Sequence, residues 1–501
     1  MEENRLEKAR EYEAKYGSRI TEEERPVFHV TPTVGWLNDP NGFSYYNGQY
    51  HLFYQYNPYS THWDSMHWGH LVSEDMLNWK RLPAALAPDT WYDNFGVFSG
   101  SALTAPDGRH LLIYTGVEVT GEARGEGVPC RQTQCLAFGD GINYVKYENN
   151  PVITPEMLPE GYSEEDFRDP KIWYEEKEGL YYSIIGASTE ENDGAVVLFR
   201  SPDLYNWEYV STLDKGGGDY GYMWECPDLF RLGDTDFIPI LPMKMVAKGN
   251  EFHAGNNAAY LAGIYDRETH TFTRKEIRSI DYGIDFYAPQ STVTPDGRRV
   301  MVAWMQTPET MRRTPPGAKW FGQLTIPREL SEKDGLLIQR PIREIEAYRK
   351  DPVFFENVHV RERTQLTGVE GRSLDLTVRV KPAGGDLYQK FTIKVAEDEE
   401  FYTSITYDPA DSMLYFDRTY SGFMHYIISE RKAHVRDRGG EILLRLMIDR
   451  FSVEIFVNDG EQVMSNTIYT RQSAGGISFE AVGGAALVDV EKYVVSWGRF
   501  Y

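Results

Sequence analysis

Ser73-Glu-Asp-Met-Leu-Asn-Trp79 recurs further along the chain as Ser201-Pro-Asp-Leu-Tyr-Asn-Trp207. A second echo pairs Thr104-Ala-Pro-Asp-Gly-Arg109 with Val293-Thr-Pro-Asp-Gly-Arg298, each followed by an apolar strand-like run. Around them, from about residue 27 to 340, short runs rich in β-branched and aromatic residues alternate with turn dipeptides. The turns are Asn47-Gly48, Asp107-Gly108, Asp193-Gly194 and Asp296-Gly297. No long helical period interrupts them. Repeated hairpins sharing turn chemistry predict a β-propeller, each blade a small four-stranded sheet. A large sandwich or barrel is the alternative.

Outside this region the pattern changes. Residues 1–25 carry Leu6, Ala9, Tyr12 and Tyr16 at near-helical spacing among alternating charges, which predicts a charged helix. Pro341-Ile-Arg-Glu-Ile-Glu-Ala-Tyr-Arg-Lys350 predicts a helical linker over 341–355, ending before Asp351-Pro352. Beyond it, over 356–501, Leu374–Val380, Phe391–Val395, Leu443–Ile448 and Ser452–Val457 alternate apolar and polar residues. That alternation predicts a β-sandwich of half-buried antiparallel strands. The chain is thus all-β, with the propeller over 26–340.

Composition narrows the function classes. The 501 residues carry 52 Lys and Arg against 76 Asp and Glu, a formal charge of −24. That balance disfavours nucleic acid or an anionic membrane surface as partner. No apolar run approaches a membrane span. The first residues, acidic and without an apolar core, do not resemble a secretory signal. Cys130, Cys135 and Cys226 make neither a disulfide framework nor a metal-ligand spacing. The expectation is a reduced, cytoplasmic protein with no metal and no cofactor. His51, His62, His67 and His70 lack a metal pattern and read as packing residues. Aromatics reach 14 % of the chain, which suits strands and also sugar rings.

Three acids share an unusual context. Asp39 lies in Trp36-Leu-Asn-Asp-Pro-Asn-Gly42, Asp169 in Phe167-Arg-Asp-Pro170, and Glu225 in Trp224-Glu-Cys-Pro-Asp228. Each is close to a proline and an aromatic residue. The 36–42 stretch reads as a hairpin turn, and each acid as the start or end of a strand. Taken singly, such acids are ordinary turn formers. Together, at strand ends converging on a propeller axis, they suit glycoside cleavage: one acid protonates the leaving oxygen, and one carboxylate attacks the anomeric carbon or activates water. A third carboxylate can grip ring hydroxyls, and Arg168 can pair with any of the three.

Taken with Phe53-Tyr-Gln-Tyr-Asn-Pro58, Trp68-Gly-His70, Phe98-Ser-Gly100 and Asp281-Tyr-Gly-Ile-Asp-Phe-Tyr-Ala-Pro-Gln290, these motifs resemble, in order and spacing, glycoside hydrolase family 32. That is the family of invertases, sucrose-6-phosphate hydrolases, fructanases and inulinases. Trp320–Leu330 and Asp449–Gly460 extend the likeness over nearly all of 26–501, while Pro242–His253 departs from it. The resemblance implies a five-bladed β-propeller followed by a C-terminal β-sandwich, and a retaining mechanism. Asp39 would be nucleophile, Glu225 acid and then base, and Asp169, held by Arg168, the transition-state stabiliser. Asn38, Gln55, Trp63, Phe98 and Ser99 would line the fructose subsite, with Asp285 and Tyr287 near the rim. No metal or cofactor is implied. The expected substrate is sucrose, sucrose-6-phosphate or a short fructo-oligosaccharide, with Arg312, Arg313 and Lys319 as candidate phosphate ligands. Alternatives are an inverting arabinan-type propeller hydrolase and a sugar-binding protein without catalysis. The sandwich reads as structural, and as a candidate homodimer interface.

Overall fold

A computed structural model describes residues 4–122, 128–311, 314–384, 387–422 and 428–497. Five antiparallel sheets follow one another along the first two thirds of the chain. The first holds Gly35–Tyr46, Gln49–Asn57, His67–Ser73 and Lys80–Leu86. The second holds Gly96–Thr104, His110–Val119, Cys130–Gly139 and Tyr144–Lys146; the third holds Tyr162–Glu175, Leu180–Thr189, Gly194–Ser201 and Glu208–Lys215. In the fourth, Trp224–Glu225 and Phe230–Leu232 both pair with Thr235–Pro242, followed by Ala259–Asp266 and Thr271–Ser279. The fifth is Tyr287–Val293, Arg299–Trp304, Arg328–Lys333 and Leu336–Pro341. Each sheet is one blade of a five-bladed propeller. Trp320–Phe321, from the last blade's connection, pairs in parallel with Gly35 and Trp36 and ties that connection to the first blade.

The echoes are equivalent pieces of different blades. Ser73–Trp79 and Ser201–Trp207 each join the third strand of a blade to the fourth. In both, an aspartate (Asp75 or Asp203) accepts from two main-chain N–H groups and an asparagine side chain on the turn. The Thr-Ala-Pro-Asp-Gly and Val-Thr-Pro-Asp-Gly stretches each join the first strand to the second, closed by Ala105 N–H to Arg109 O and Thr294 N–H to Arg298 O, both 2.8 Å. Identical turn chemistry recurs because each blade repeats the same strand-to-strand step.

Three expectations change in detail. The 36–42 stretch is not a hairpin turn but lies inside the strand Gly35–Tyr46, irregular between Leu37 and Pro40 and again between Asn41 and Ser44. Pro40 lacks an N–H, so it is accommodated at a bulge, and Gly42, at φ 53°, supplies the second irregularity. A Cβ on Gly42 would sit 2.6 Å from the Phe53 ring. The charged N-terminal helix is confined to Arg5–Gly17, followed by a 3₁₀ turn at Glu22–Glu24; Glu13 anchors the helix by accepting from Ala84 N–H at 2.7 Å. The 341–355 linker is a 3₁₀ turn, Arg343–Tyr348, and Asp351-Pro352 falls within the edge strand Arg349–Val360. Proline is tolerated there because the ladder slips between Lys350 and Val353.

The rest of the chain is a sandwich. A six-stranded sheet runs Arg349–Val360, Ala486–Val495, Leu374–Pro382, Ile442–Asp449, Ser452–Val457, Gln462–Thr467. It faces a five-stranded one of Glu430–His434, Met413–Asp417, Thr403–Asp408, Lys390–Glu397 and Gly476–Val482. Alternate residues such as Leu376, Val378, Ile393, Ile405, Phe416 and Leu444 fill the space between them.

Buried charges join propeller to sandwich. His29 lies between Asp449 (2.8 Å) and Glu454 (2.9 Å), and Arg328 bonds Asp281 (3.0 Å) and Glu454 (2.6 Å), every one of these side chains fully buried. Such ions persist in a dry interface only because each is paired and hydrogen-bonded. The histidines of the first blade pack instead: His51 and His70 stack, and burial holds His51 down to about 4. Among the described residues no helix is long and apolar enough to cross a membrane.

Candidate active site

Asp39, Asp169 and Glu225 stand on the first strands of the first, third and fourth blades, the strands nearest the axis. Glu225 ends the short strand Trp224–Glu225, whereas Asp39 and Asp169 are interior to theirs, at irregular pairings. Asp169 has φ 66° and Cys226 φ 45°, left-handed conformations uncommon for side-chain-bearing residues. Asp169 N–H donates to Thr115 Oγ1 at 2.9 Å, which fixes the first of these kinks.

The kinks bring the acids together. Asp39 accepts from Ser99 Oγ (2.7 Å) and Asn38 Nδ2 (3.0 Å), and Asn38 is held in turn by Trp36 Nε1 at 2.7 Å. Asp169 Oδ2 accepts from Cys226 N–H at 3.0 Å. The Cys226 thiol bridges both acids, 3.4 Å from Asp169 Oδ2 and 3.7 Å from Asp39 Oδ2. Glu225 accepts from Tyr287 Oη at 2.6 Å and pairs with Arg168 at 3.1 Å.

Burial pushes Asp39 up to about 6, reinforced by the charge of Glu225 and opposed by Ser99 and Asn38. Burial pushes Asp169 up to about 7, against the pull of Arg168. Burial also raises the Cys226 thiol well above its usual range, so it stays protonated and acts as a donor. Arg168 overcomes its own desolvation through Glu225 and Asp166. Near neutral pH Asp39 is therefore largely ionised while Asp169 retains a proton for much of the time.

Most of the expected binding residues surround this group. Trp63, 38 % exposed, meets Phe98 edge-on at the rim. Gln55 Nε2 donates to Val97 O at 2.9 Å, bracing the strand that carries Phe98 and Ser99. Two expectations are corrected. Arg168 acts on Asp169 through its charge and not through a hydrogen bond; it pairs with Glu225 and, at 2.8 Å, with Asp166. In an irregular strand adjacent side chains diverge, so a neighbour in sequence is not a neighbour in the site. Asp285 does not approach the rim: it is fully buried against the sandwich, bound by Arg418 Nη1 (2.6 Å) and Thr467 N–H (2.8 Å). Tyr287, two residues on, is deeper than expected and touches Glu225 directly.

Sequence reading passed over Asp166, Gln132, Tyr222 and Met243. Asp166 was legible, since residues i and i+2 share a strand face with Arg168. Gln132 accepts from Arg168 at 3.1 Å and Met243 Sδ lies 3.4 Å from it. Both come from other blades and carry no motif. Of the phosphate candidates, Lys319 is paired with Glu24 at 2.8 Å, and Arg312 and Arg313 lie outside the described residues.

Three carboxylates bridged by donors at the axis of a five-bladed propeller, with aromatic rings at the rim, define a glycoside hydrolase. The profile described as Glycosyl hydrolases family 32 N-terminal domain matches residues 29–341, and that of the family 32 C terminal matches 344–496. The chain belongs to glycosyl hydrolases family 32. It is 38 % identical to the raffinose invertase of Escherichia coli, over 92 % of this chain and 93 % of that protein. It is 33 % identical to the sucrose-6-phosphate hydrolase of Bacillus subtilis, over 92 % of each. Among solved structures, the β-fructofuranosidase of Bombyx mori superposes with a TM-score of 0.81 at 33 % identity, covering 98 % of both chains. The sucrose-6-phosphate hydrolase of Lactobacillus gasseri does so at 0.83 and 26 %, covering 97 % of this chain and 96 % of that one.

Proposed function

We propose that this protein is a retaining β-fructofuranosidase, releasing terminal β-D-fructofuranosyl residues from sucrose, sucrose-6-phosphate or short fructo-oligosaccharides. The observation that carries the reading is the convergence of Asp39, Asp169 and Glu225 at one end of the axis, linked by Cys226 and braced by Arg168 and Tyr287.

In this reading Asp39 attacks the anomeric carbon of fructose while Glu225 protonates the departing glycosidic oxygen. The C–O bond to the leaving sugar breaks and an ester to Asp39 forms. Water, deprotonated by Glu225, then cleaves the ester, and fructose leaves with its configuration retained. Asp169, short of donors on its funnel side, takes ring hydroxyls and stabilises oxocarbenium character. Ser99 and Asn38 aim the Asp39 carboxylate, and Tyr287 and Arg168 fix Glu225. Gln55 braces the wall, and Trp63 and Phe98 offer ring faces to the sugar. Asp285 has no part in binding and belongs to the domain interface.

The test is the anomer first released from sucrose, read by NMR within seconds of mixing. β-Fructofuranose supports the ester. The α-anomer would replace it with the inverting, arabinan-type mechanism, and no fructose at all would leave a sugar-binding protein. We further propose a cytoplasmic location, consistent with three unpaired cysteines, and a homodimer formed through the sandwich. Cell fractionation and sedimentation of the purified chain test these two.

A further inference from the structure

We infer that Arg418 of the sandwich is a positioning residue for the propeller's acid: by clamping Asp285 it fixes where the Tyr287 phenol meets Glu225. This rests on the proposed β-fructofuranosidase reading, in which Glu225 protonates the leaving oxygen, and it gives the sandwich a part in that step.

Tyr287 Oη donates to Glu225 Oε2 at 2.6 Å. Its own blade supports it loosely. Tyr287 opens the strand Tyr287–Val293 and pairs with Trp304, but regular pairing resumes only at Gln290, beyond Ala288 at φ 48° and Pro289 without an N–H. The firmer support precedes Tyr287 and comes from the other domain. Residues 281–285 lie along Gln462–Thr467, the edge strand of the six-stranded sheet. Tyr282 N–H donates to Val463 O at 2.8 Å, and Asp285 N–H to Ser465 O at 2.9 Å. Ser465 N–H donates to Asp281 Oδ1 at 2.8 Å, and Ile284 N–H to Asn466 Oδ1 at 3.0 Å. The approach is so close that a Cβ on Gly283 would stand 2.2 Å from the Ser465 main chain. An edge strand offers unpaired N–H and C=O groups, and here the propeller segment takes them.

Asp285 ends this seam, two residues before Tyr287. Its carboxylate is fully buried, and Oδ2 accepts from Arg418 Nη1 (2.6 Å), Thr467 N–H (2.8 Å) and Thr467 Oγ1 (2.8 Å). Thr467 belongs to the six-stranded sheet, whereas Arg418 follows Met413–Asp417 of the five-stranded one. Arg418 is itself held: Nη1 donates to Thr467 O at 2.8 Å, and Nε and Nη2 donate to Ile428 O at 3.1 and 2.9 Å. Both sheets thus converge on one carboxylate, with the directional fork that a guanidinium supplies. Two residues of extended chain span only about 7 Å, so a shift at Asp285 passes to Tyr287 with little slack. The intervening Phe286 gives none, being buried with the Arg328 guanidinium 5.0 Å from its ring centroid. Moving the phenol off line weakens its bond to Glu225, and with it the delivery of a proton to the leaving oxygen.

The experiment measures kcat/KM of the full chain on sucrose and on p-nitrophenyl β-D-fructofuranoside. The proteins are wild type, Arg418→Met, Arg418→Lys, Tyr287→Phe and the Arg418→Met/Tyr287→Phe double variant. Nitrophenolate departs without a proton whereas a sugar alkoxide needs one, so the comparison isolates the acid. Arg418→Met should lower the sucrose value about tenfold and the nitrophenyl value less than about twofold. Arg418→Lys should restore most of the loss. In the Tyr287→Phe background Arg418→Met should cost less than about twofold on sucrose, because its route runs through the phenol. Since Arg418→Met strips the cation from a buried carboxylate, Thr467→Val, which removes one neutral donor to Asp285, is measured beside it and decides the matter where Arg418→Met does not fold. It should show the same substrate split on a smaller scale. Equal losses on both substrates, or a loss that adds in full to that of Tyr287→Phe, would overturn the inference while leaving the β-fructofuranosidase reading standing. Wild type that releases fructose from neither substrate would remove both.

Discussion

Asp39→Asn should abolish turnover and, at neutral pH, make the protein more stable. Burial raises the Asp39 carboxyl from 3.8 to about 6. Each unit corresponds to about 1.36 kcal/mol, so keeping Asp39 ionised in the fold costs up to about 3 kcal/mol above pH 6. The sign follows from the order of the two values. Below 3.8 both folded and unfolded chains carry the proton and there is no cost. Between 3.8 and 6 the cost grows, and above 6 it is constant. Asparagine is neutral throughout and escapes it. The gain is reduced because an amide offers one acceptor oxygen where the carboxylate served Ser99, Asn38 and Cys226; one displaced donor costs about 1 kcal/mol. Asp39 also opens partly to the funnel, and water there softens the penalty. The net expectation is about 1–2 kcal/mol in favour of the variant at pH 7, shrinking as the pH falls to 4. Urea denaturation of both proteins at pH 4, 5, 6 and 7 measures the difference, in which titrating groups remote from the site cancel. Activity should fall by roughly 10⁴-fold. A stability difference independent of pH, or a variant weaker than wild type at pH 7, would refute the electrostatic account; near-normal fructose release would refute the nucleophile.

Tyr287→Phe removes the donor to Glu225 Oε2 and should lower kcat by about 10–100-fold with an unchanged melting curve; comparing sucrose hydrolysis with circular dichroism tests this. Arg168→Leu strips the cation from both Glu225 and Asp166 and should cost at least about 100-fold in kcat/KM, whereas Asp169→Asn should spare the Arg168 contacts and lower kcat chiefly. His29→Gln probes the domain interface. His29 is held up at about 9 by Asp449 and Glu454, so its contribution, roughly 3 kcal/mol, is full below 6.5 and is lost as pH rises through 9. Wild type should weaken over that window and His29→Gln should not, as denaturation midpoints between pH 6.5 and 9.5 will show.

The propeller was legible because repeated turns leave repeated letters: an aspartate that must cap the same step in two blades is preserved as Ser-x-Asp-x-x-Asn-Trp. The sandwich was legible because a sheet buried on one face writes its period of two into the chain. The three acids were legible through their prolines, although the reason differed from the one supposed. Pro40 and Pro170 marked irregular innermost strands and not turns, and Pro227 the break between Trp224–Glu225 and Phe230–Leu232, since a strand at the axis lacks a neighbour on one side and tolerates a missing N–H. Sequence alone thus determined the architecture, the acids and the family.

Which acid holds which partner was decided only in three dimensions. Arg168 precedes Asp169 in the chain yet serves Glu225, because the kink at Asp169 turns the two side chains apart. Asp285 and Tyr287 share one motif, yet one is locked into the sandwich by Arg418 while the other reaches Glu225. Cys226 showed in sequence neither a disulfide partner nor a metal-ligand spacing; its left-handed backbone places its thiol between two carboxylates. Such pairings join residues from different blades, and neither spacing nor periodicity encodes the distance across an axis. That distance is set by how five twisted sheets pack, which is why the chemistry could be named from the sequence and its geometry could not.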